Sequence, residues 1–164
     1  MTRSPSLHLT VTEPELSALA KALAVKLSPG DCIVLRGDLG AGKTTFARAL
    51  IRALLADPTL EVPSPTFALR QDYTAAAGPI VHFDFDRVSD ARDVDELGFE
   101  ESLREAITII EWPERAETLL PPDRIEIELS DSRSPSTRNV KISGHGAAVA
   151  LVAAIAGRTT GPST

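Results

Sequence analysis

The chain has 164 residues, of which 43% are hydrophobic and 24% charged, as in soluble globular domains. Its 17 basic and 23 acidic residues give a net charge of −6, and only 4% are aromatic, which disfavours direct binding of nucleic acid through a basic or base-stacking surface. The single cysteine, Cys32, excludes an intrachain disulfide, and no apolar run is long enough to span a membrane. The N-terminal residues lack the apolar core of an export signal, so we expect a cytoplasmic protein without membrane association.

Strand-like and helix-like segments alternate along the chain. In chain order the patterns predict a strand at 7–11, a helix capped by Thr12, a strand at 31–37, a helix at 44–56, a loop-rich stretch over 61–73, a strand at 79–85, a helix at 93–106, strands at 106–112, 124–130 and 137–144, and a helix at 146–157. This alternation predicts an α/β fold with a mainly parallel sheet flanked by helices, and antiparallel pairing of the last two strands at an edge. We expect one domain over residues 1–164, with an ordered core at about 6–157 and loose ends at 1–5 and from Gly157 onwards.

The most informative segment reads Gly-Asp-Leu-Gly-Ala-Gly-Lys-Thr at residues 37–44, between a predicted strand and a predicted helix. It matches the phosphate-binding P-loop pattern G-x-x-x-x-G-K-[ST], in which backbone N–H groups and a helix N-terminus hold phosphate. Lys43 would place a cation near the β- and γ-phosphates, and Thr44 would offer a hydroxyl to magnesium. The candidate nucleotide-binding residues are Gly37, Asp38, Leu39, Gly40, Ala41, Gly42, Lys43 and Thr44.

Two acidic residues are candidates to complete this site. Glu111 ends an apolar strand, and Asp84 lies in another strand whose end could face the same crevice. The alternative for each is an ordinary carboxylate at a solvated strand end. His82, beside Asp84, is a candidate to support the site from behind, whereas Asp86 and Asp90 fit solvated positions near a helix start.

Other candidate residues leave two interpretations open. Thr66 lies in the proline-stiffened Pro-Ser-Pro-Thr loop, where a hydroxyl could sense magnesium or γ-phosphate, or could belong to a plain loop. Trp112 either packs in the core or lies near the nucleotide. His8 and His145 have no partners at metal-ligand spacing, and Cys32 fits a buried thiol.

The chain lacks the usual features of two related enzyme classes. No N-K-x-D segment for guanine recognition occurs, and the D-x-x-G match at 95–98 lies within a predicted acidic helix. No insertion carries paired arginines that could close over phosphates as in small-molecule kinases. The residues therefore favour a slow or partner-dependent ATPase. A nucleotide-gated binding module with little hydrolysis and a small-molecule kinase remain alternatives.

Five segments, in order GDLGAGKTTFARAL, SPTF, HFDFDR, ELGFEE and IIEWPER, together resemble the TsaE (formerly YjeE) family over about residues 7–156. The resemblance implies a P-loop NTPase-like ATPase that uses ATP and Mg²⁺ in the synthesis of the tRNA modification threonylcarbamoyladenosine (t6A). It also implies association with the TsaB–TsaD heterodimer, whose TsaD subunit modifies the adenosine beside the anticodon. The chain would then meet tRNA only through that complex.

The resemblance also implies roles for particular residues. Residues 40–45, including Thr45, would cradle the phosphates, while Thr44 and Glu111 would serve magnesium. The implied catalytic residues are Lys43, Asp84, Glu111 and Thr66, and the further nucleotide contacts are Thr12, Glu13, Trp112 and Arg138, of which Thr12 and Glu13 lie on the adenine side. Two positions depart from the family pattern, since Asp86 replaces a usual aromatic residue and Phe67 replaces a usual tyrosine.

Overall fold

The computed structural model describes residues 6–159, with side chains through residue 157. The strands are β1 Ser6–Thr12, β2 Cys32–Arg36, β3 Arg70–Ala75, β4 Gly78–Asp84, β5 Ile107–Glu111, β6 Arg124–Asp131 and β7 Thr137–His145. The α-helices are α1 Glu13–Ala24, α2 Lys43–Leu55, α3 Ala91–Asp95, α4 Phe99–Glu105 and α5 Val149–Thr159, and 3₁₀ helices cover Pro113–Leu119 and Gly146–Ala148.

The expected loose ends fall mostly on residues 1–5 and 160–164, which lie outside the described range. Helix α5 continues through Gly157 to Thr159, two residues past the expected end of the ordered core. Among the described residues, no helix is both long enough and apolar enough to cross a membrane.

All seven strands form one sheet in the order β1-β7-β6-β2-β5-β4-β3. The four central strands β6, β2, β5 and β4 are parallel, whereas β1–β7, β7–β6 and β3–β4 pair antiparallel. The predicted α/β fold is therefore confirmed, and so is the antiparallel pairing of the last two strands. However, β1 pairs outside β7, so the edge of the sheet is the first strand and not the last.

Two predicted elements differ from the structure, each for an identifiable reason. Strand β3 begins within the stretch predicted as loop and ends two residues beyond it. Its residues are only half-buried or exposed, and they are held by pairing with β4. The helix predicted over 93–106 is divided into α3 and α4, because Gly98 adopts a left-handed conformation (φ 71°) that interrupts the helix.

Both faces of the central strands are covered. Helices α1, α2 and α5 bury their apolar side chains on one face, including Leu23, Phe46 and Ile155. On the other face, the rings of Phe83, Phe85 and Phe99 meet with centroids 5.4–5.5 Å apart. Because β2 and β5 are buried on both sides, they are almost continuously apolar.

Local capping fixes how the chain enters α1. The side chain of Thr12 accepts a hydrogen bond from the backbone N–H of Glu15 (3.3 Å) and donates one to the Glu15 carboxylate (2.9 Å). Thr12 is thus the N-cap that the sequence predicts. This cap marks the point where β1 ends and α1 begins.

Replacing Phe99 by alanine should lower the free energy of unfolding by about 3–5 kcal/mol, because the ring is 1% exposed and contacts two other buried rings. The matched control is Phe67→Ala, since the Phe67 ring is 80% exposed and its loss should change stability by no more than about 0.5 kcal/mol. Urea denaturation measures both. Equal losses in the two variants would contradict the assignment of Phe99 to the core.

Candidate functional site

The glycine-rich loop, residues 37–42, joins the end of β2 to the start of α2. Gly37, Gly40 and Gly42 all have positive φ angles of 148°, 80° and 110°. At Gly37 a Cβ would lie 2.5 Å from the carbonyl oxygen of Leu129, so the loop passes too close to β6 for any other residue. The predicted strand–loop–helix context is therefore present, with the loop at the helix N-terminus.

Lys43 is the first residue of α2, and its side chain turns back onto the loop. The ammonium donates hydrogen bonds to the carbonyl oxygens of Gly37 and Asp38, the latter at 3.0 Å. It also lies 3.8 Å from the centroid of the Trp112 ring. Burial lowers the pKa of Lys43, an effect opposed by nearby carboxylates of which Glu111 contributes most. The cation is thus held at the loop by groups that phosphate oxygens could replace.

Trp112 reaches Lys43 through an unusual backbone turn. It follows β5 directly and has φ 55° and ψ 54°, a left-handed conformation that non-glycine residues rarely adopt. The 3₁₀ helix after it is tied to β2, because Arg36 donates two hydrogen bonds to Glu117 at 2.6 and 3.0 Å. Arg36 also binds Glu126 of β6 at 3.0 Å, so this turn is fixed to two strands.

Glu111 is the buried carboxylate beside the loop, with 1% of its surface exposed. Its Oε1 accepts a hydrogen bond from the Thr44 hydroxyl at 2.8 Å, and its Oε2 lies 2.7 Å from Nε2 of His82. His82 is equally buried. The structure therefore brings the predicted pair Thr44 and Glu111 into contact, and places His82 behind them.

Asp84 lies opposite Glu111 in the register of β4 and β5. Its carboxylate accepts hydrogen bonds from the backbone N–H of Asp86 (2.9 Å) and from the Thr66 hydroxyl (3.3 Å). Burial raises the pKa of Asp84, and the nearby Glu111 carboxylate acts in the same direction. Thr66 thus belongs to the group around Asp84, and Ser64, which sequence reasoning missed, in turn hydrogen-bonds Thr66 at 2.8 Å.

A small cleft of about 200 Å³ lies next to the glycine-rich loop. Pairing of β1 with β7 places Thr12 opposite Thr137, next to Arg138, so the end of β1 and the start of β7 share one wall. The residues that line the cleft are Thr12, Glu13, Leu16, Gly40, Gly42, Thr45, Pro135, Ser136 and Arg138. This lining includes Thr12, Glu13 and Arg138, three of the four further nucleotide contacts that the resemblance implies. The fourth, Trp112, is not part of it. Pro135 and Ser136 were missed, although the Ser-Arg-Ser-Pro-Ser turn signals a loop there.

The remaining candidates lie elsewhere. Leu39 is 91% exposed and Asp38 is also exposed, and of these two residues Asp38 contacts Lys43, through its backbone carbonyl. His8 is exposed, and His145 lies 3.7 Å from Glu126. Cys32 is buried as predicted, and burial raises the pKa of its thiol to about 12.

Asp86 is exposed, and Asp90 accepts a hydrogen bond from the backbone N–H of Arg92 as the N-cap of α3. Both fit the solvated, helix-start positions expected for them. Neither side chain joins the group formed by Asp84 and Thr66.

The donor groups present fit a magnesium ion that is bound together with phosphate. Among residues 6–157, no cluster of three or more His, Cys, Asp or Glu side chains could hold a metal ion without help. Thr44 and Glu111 instead offer one hydroxyl and one carboxylate beside a phosphate-binding loop. Mg²⁺ is commonly held by one or two protein oxygens, with phosphate and water completing its octahedron.

Comparisons with known proteins show which family the chain resembles. A family model described as "Threonylcarbamoyl adenosine biosynthesis protein TsaE" matches residues 10–140. The tRNA threonylcarbamoyladenosine biosynthesis protein TsaE of Rickettsia conorii is 43% identical over 75% of this chain and 70% of its own length. That of Bacillus subtilis is 37% identical over 72% and 73%. The crystal structure of YdiB from Bacillus subtilis superposes with a TM-score of 0.77 at 25% identity, and covers 98% of this chain and 100% of its own.

Replacing Asp84 by asparagine should stabilise the protein at neutral pH, because the native carboxylate is ionised at a cost there. A raised pKa means that the folded state holds the proton more tightly than the unfolded state. The Asp84 carboxyl group therefore contributes favourably to the free energy of unfolding below about pH 4. This contribution is lost as the pH rises through the pKa of Asp84 in the folded state.

The gain in stability of Asp84→Asn over the unchanged chain should accordingly be larger at pH 7 than at pH 4. Asparagine retains an oxygen that can accept from the Asp86 N–H, which limits secondary effects. Urea denaturation at several pH values measures the difference. A gain that is independent of pH, or one that shrinks towards pH 7, would contradict the burial argument.

Proposed function

The chain belongs to the TsaE family of tRNA threonylcarbamoyladenosine biosynthesis, and we propose that it serves this pathway as a partner-dependent ATP hydrolase. The observation that carries the proposal is the meeting of three groups at the N-terminus of α2. These are the glycine-rich loop, the Lys43 ammonium and the Thr44–Glu111 pair. Each supplies one requirement of triphosphate chemistry, namely a phosphate cradle, a cation and a magnesium ligand set.

The phosphates of ATP would occupy the loop between β2 and α2. The positive φ angles of Gly40 and Gly42 belong to the turn that leads into the helix N-terminus, where unpaired N–H groups and the helix dipole favour anions. A Cβ at Gly40 would meet no atom within 4 Å, so the space beside it is open for a ligand. Lys43 would exchange the Gly37 and Asp38 carbonyls for phosphate oxygens.

Thr44 and Glu111 would hold the Mg²⁺ that accompanies ATP. Bound there, the ion would neutralise charge on the β- and γ-phosphates. Glu111 would orient that site directly or through a water molecule, and its burial strengthens every electrostatic interaction nearby. The Thr44 hydroxyl, which now donates to Glu111, would turn its oxygen to the ion.

Asp84 would act on the attacking water. Burial raises the pKa of Asp84, which increases the affinity of the carboxylate for a proton and favours its use as a general base. The hydrogen bonds from Thr66 and from the Asp86 N–H would hold it in place. As Asp84 takes a proton from the water, the water oxygen would bond to the γ-phosphorus and the bond to the bridging oxygen would break. ADP and inorganic phosphate would leave, and the proton on Asp84 would pass to solvent.

The adenosine would extend from the loop into the cleft of about 200 Å³. The Glu13 carboxylate and the Thr12 hydroxyl offer acceptors for an exocyclic amine, which adenine has and guanine presents at a different ring position. Arg138 lies on the same wall and could contact the sugar or the phosphates. These groups support ATP over GTP as the nucleotide.

We assign the TsaB–TsaD heterodimer as the activating partner on the basis of the family. The net charge of −6 fits indirect rather than direct contact with tRNA, in a cytoplasmic complex. Leu39 lies in the glycine-rich loop and Phe67 follows Thr66, and these residues are 91% and 80% exposed. Such exposed apolar side chains near the site could be covered by the partner.

Lys43→Ala should reduce ATP turnover measured with TsaB–TsaD by at least about 100-fold, because it removes the cation that stabilises charge on the transferred phosphoryl group. The matched control is Lys26→Ala, since Lys26 is exposed beyond the end of α1. Turnover should rise when TsaB–TsaD is added to the unchanged chain and to Lys26→Ala, but not to Lys43→Ala. Release of inorganic phosphate measures it.

Two other outcomes would replace the proposal. ATP-dependent binding to TsaB–TsaD without turnover, with Glu111→Ala changing affinity only, would indicate a nucleotide-gated binding module. Phosphorylation of a metabolite in the absence of any protein partner would indicate a kinase.

Binding of ATP should change the fluorescence of Trp112, the only tryptophan in the chain. The Lys43 ammonium lies 3.8 Å from the centre of its ring and would move towards phosphate when the nucleotide binds. In Lys43→Met the ATP-dependent change should be much smaller, because no cation leaves the ring. Titration of ATP with emission recorded between additions tests this, and an equal change in both proteins would refute the movement of Lys43.

A further inference from the structure

His82 is a buried ionisable residue in the middle of β4, with 1% of its surface exposed. Side chains alternate between the faces of a strand, so Ile80, His82 and Asp84 share one face. On neighbouring β5 the same alternation gives Ile107, Ile109 and Glu111. His82 therefore lies on the face that carries both acidic candidates, one strand away from Glu111.

The two oxygens of the Glu111 carboxylate have different partners. Oε2 lies 2.7 Å from Nε2 of His82, and Oε1 accepts from Thr44 at 2.8 Å. An ionised carboxylate can only accept, so the hydrogen-bond network assigns a proton to Nε2. With one oxygen held on each side, the carboxylate has a single orientation, in which Oε1 faces α2.

The other ring nitrogen of His82, Nδ1, shows that burying the imidazole is energetically unfavourable. Within the described part of the chain, no group hydrogen-bonds Nδ1 of His82, although the atom is buried. A buried polar atom without a partner is unfavourable, and an apolar side chain such as that of Ile80 would avoid it. Among the residues that the structure describes, the one hydrogen-bond partner of the imidazole is Glu111.

We propose that His82 is a positioning residue that sets the affinity of the Thr44–Glu111 pair for nucleotide-bound Mg²⁺. It touches neither phosphate nor metal; it acts through Glu111 by holding Oε2 and leaving Oε1 towards Thr44. This role rests on the proposed binding of Mg²⁺ and nucleotide. Partners that orient a metal-binding side chain from behind commonly change metal affinity by 10- to 100-fold.

The test measures ADP binding by calorimetry, in EDTA and in excess Mg²⁺, so that the gain in affinity caused by Mg²⁺ is obtained without catalysis. His82→Leu fills similar space without a donor, and His82→Gln can place an amide N–H near the position of Nε2. His82→Asn has the same amide but is one methylene shorter. The matched control is Ile80→Val, which removes one methylene from a fully buried neighbour on the same face of β4.

The Mg²⁺-dependent gain should fall at least about 10-fold in His82→Leu and His82→Asn, and be largely retained in His82→Gln and Ile80→Val. Affinity in EDTA should be similar in all five proteins. In a Glu111→Gln background, His82→Leu should have no further effect on the gain, which a purely structural role would not produce. If His82→Leu does not fold, the comparison of Gln with Asn decides.

Full retention of the Mg²⁺-dependent gain in His82→Leu or His82→Asn, or an equal loss in Ile80→Val, would overturn the proposed role of His82. It would leave the proposed magnesium site intact. Absence of any Mg²⁺-dependent gain in the unchanged chain would overturn both this role and the proposed magnesium site. The two failures are therefore distinguishable.

Discussion

The Glu111 carboxylate is almost completely buried, and its two oxygens bind side chains from α2 and from β4. A buried carboxylate is expensive unless both oxygens have partners, so this contact restricts where α2 and β4 can lie relative to β5. Parallel pairing of β4, β5 and β2 brings their carboxyl ends to one edge of the sheet. The glycine-rich loop begins at that same edge, and the remaining site residues are arranged around it.

A second set of contacts holds the loop from the other side. Lys43 bonds the loop carbonyls and lies on the Trp112 ring, and the turn at Trp112 is left-handed. Such a backbone persists where the surroundings hold it, and here Arg36 ties the following 3₁₀ helix to β2 and β6. The end of β2 thus supports both the loop that would bind phosphate and the indole above it.

The sequence predicted the parts of the molecule that depend on local patterns. The loop at 37–44, the cap at Thr12 and the buried strand that ends at Glu111 each have a distinctive spacing or composition. Strand β3 was missed because its stabilisation comes from pairing with β4, and the break at Gly98 because an acidic helical pattern continues on both sides of it. The contact of His82 with Glu111 joins residues 29 positions apart, and only the register of two strands reveals it.

The position of Lys43 bears on which anions the loop would select. The ammonium has two carbonyl acceptors and lies against an aromatic face. A lone orthophosphate would exchange these contacts for similar ones and would gain little in return. A polyphosphate chain would also reach the N–H groups along the loop and the hydroxyl of Thr44, which the exchange at Lys43 does not consume. These contacts of Lys43 would therefore favour ligands with several linked phosphates over a single phosphate ion.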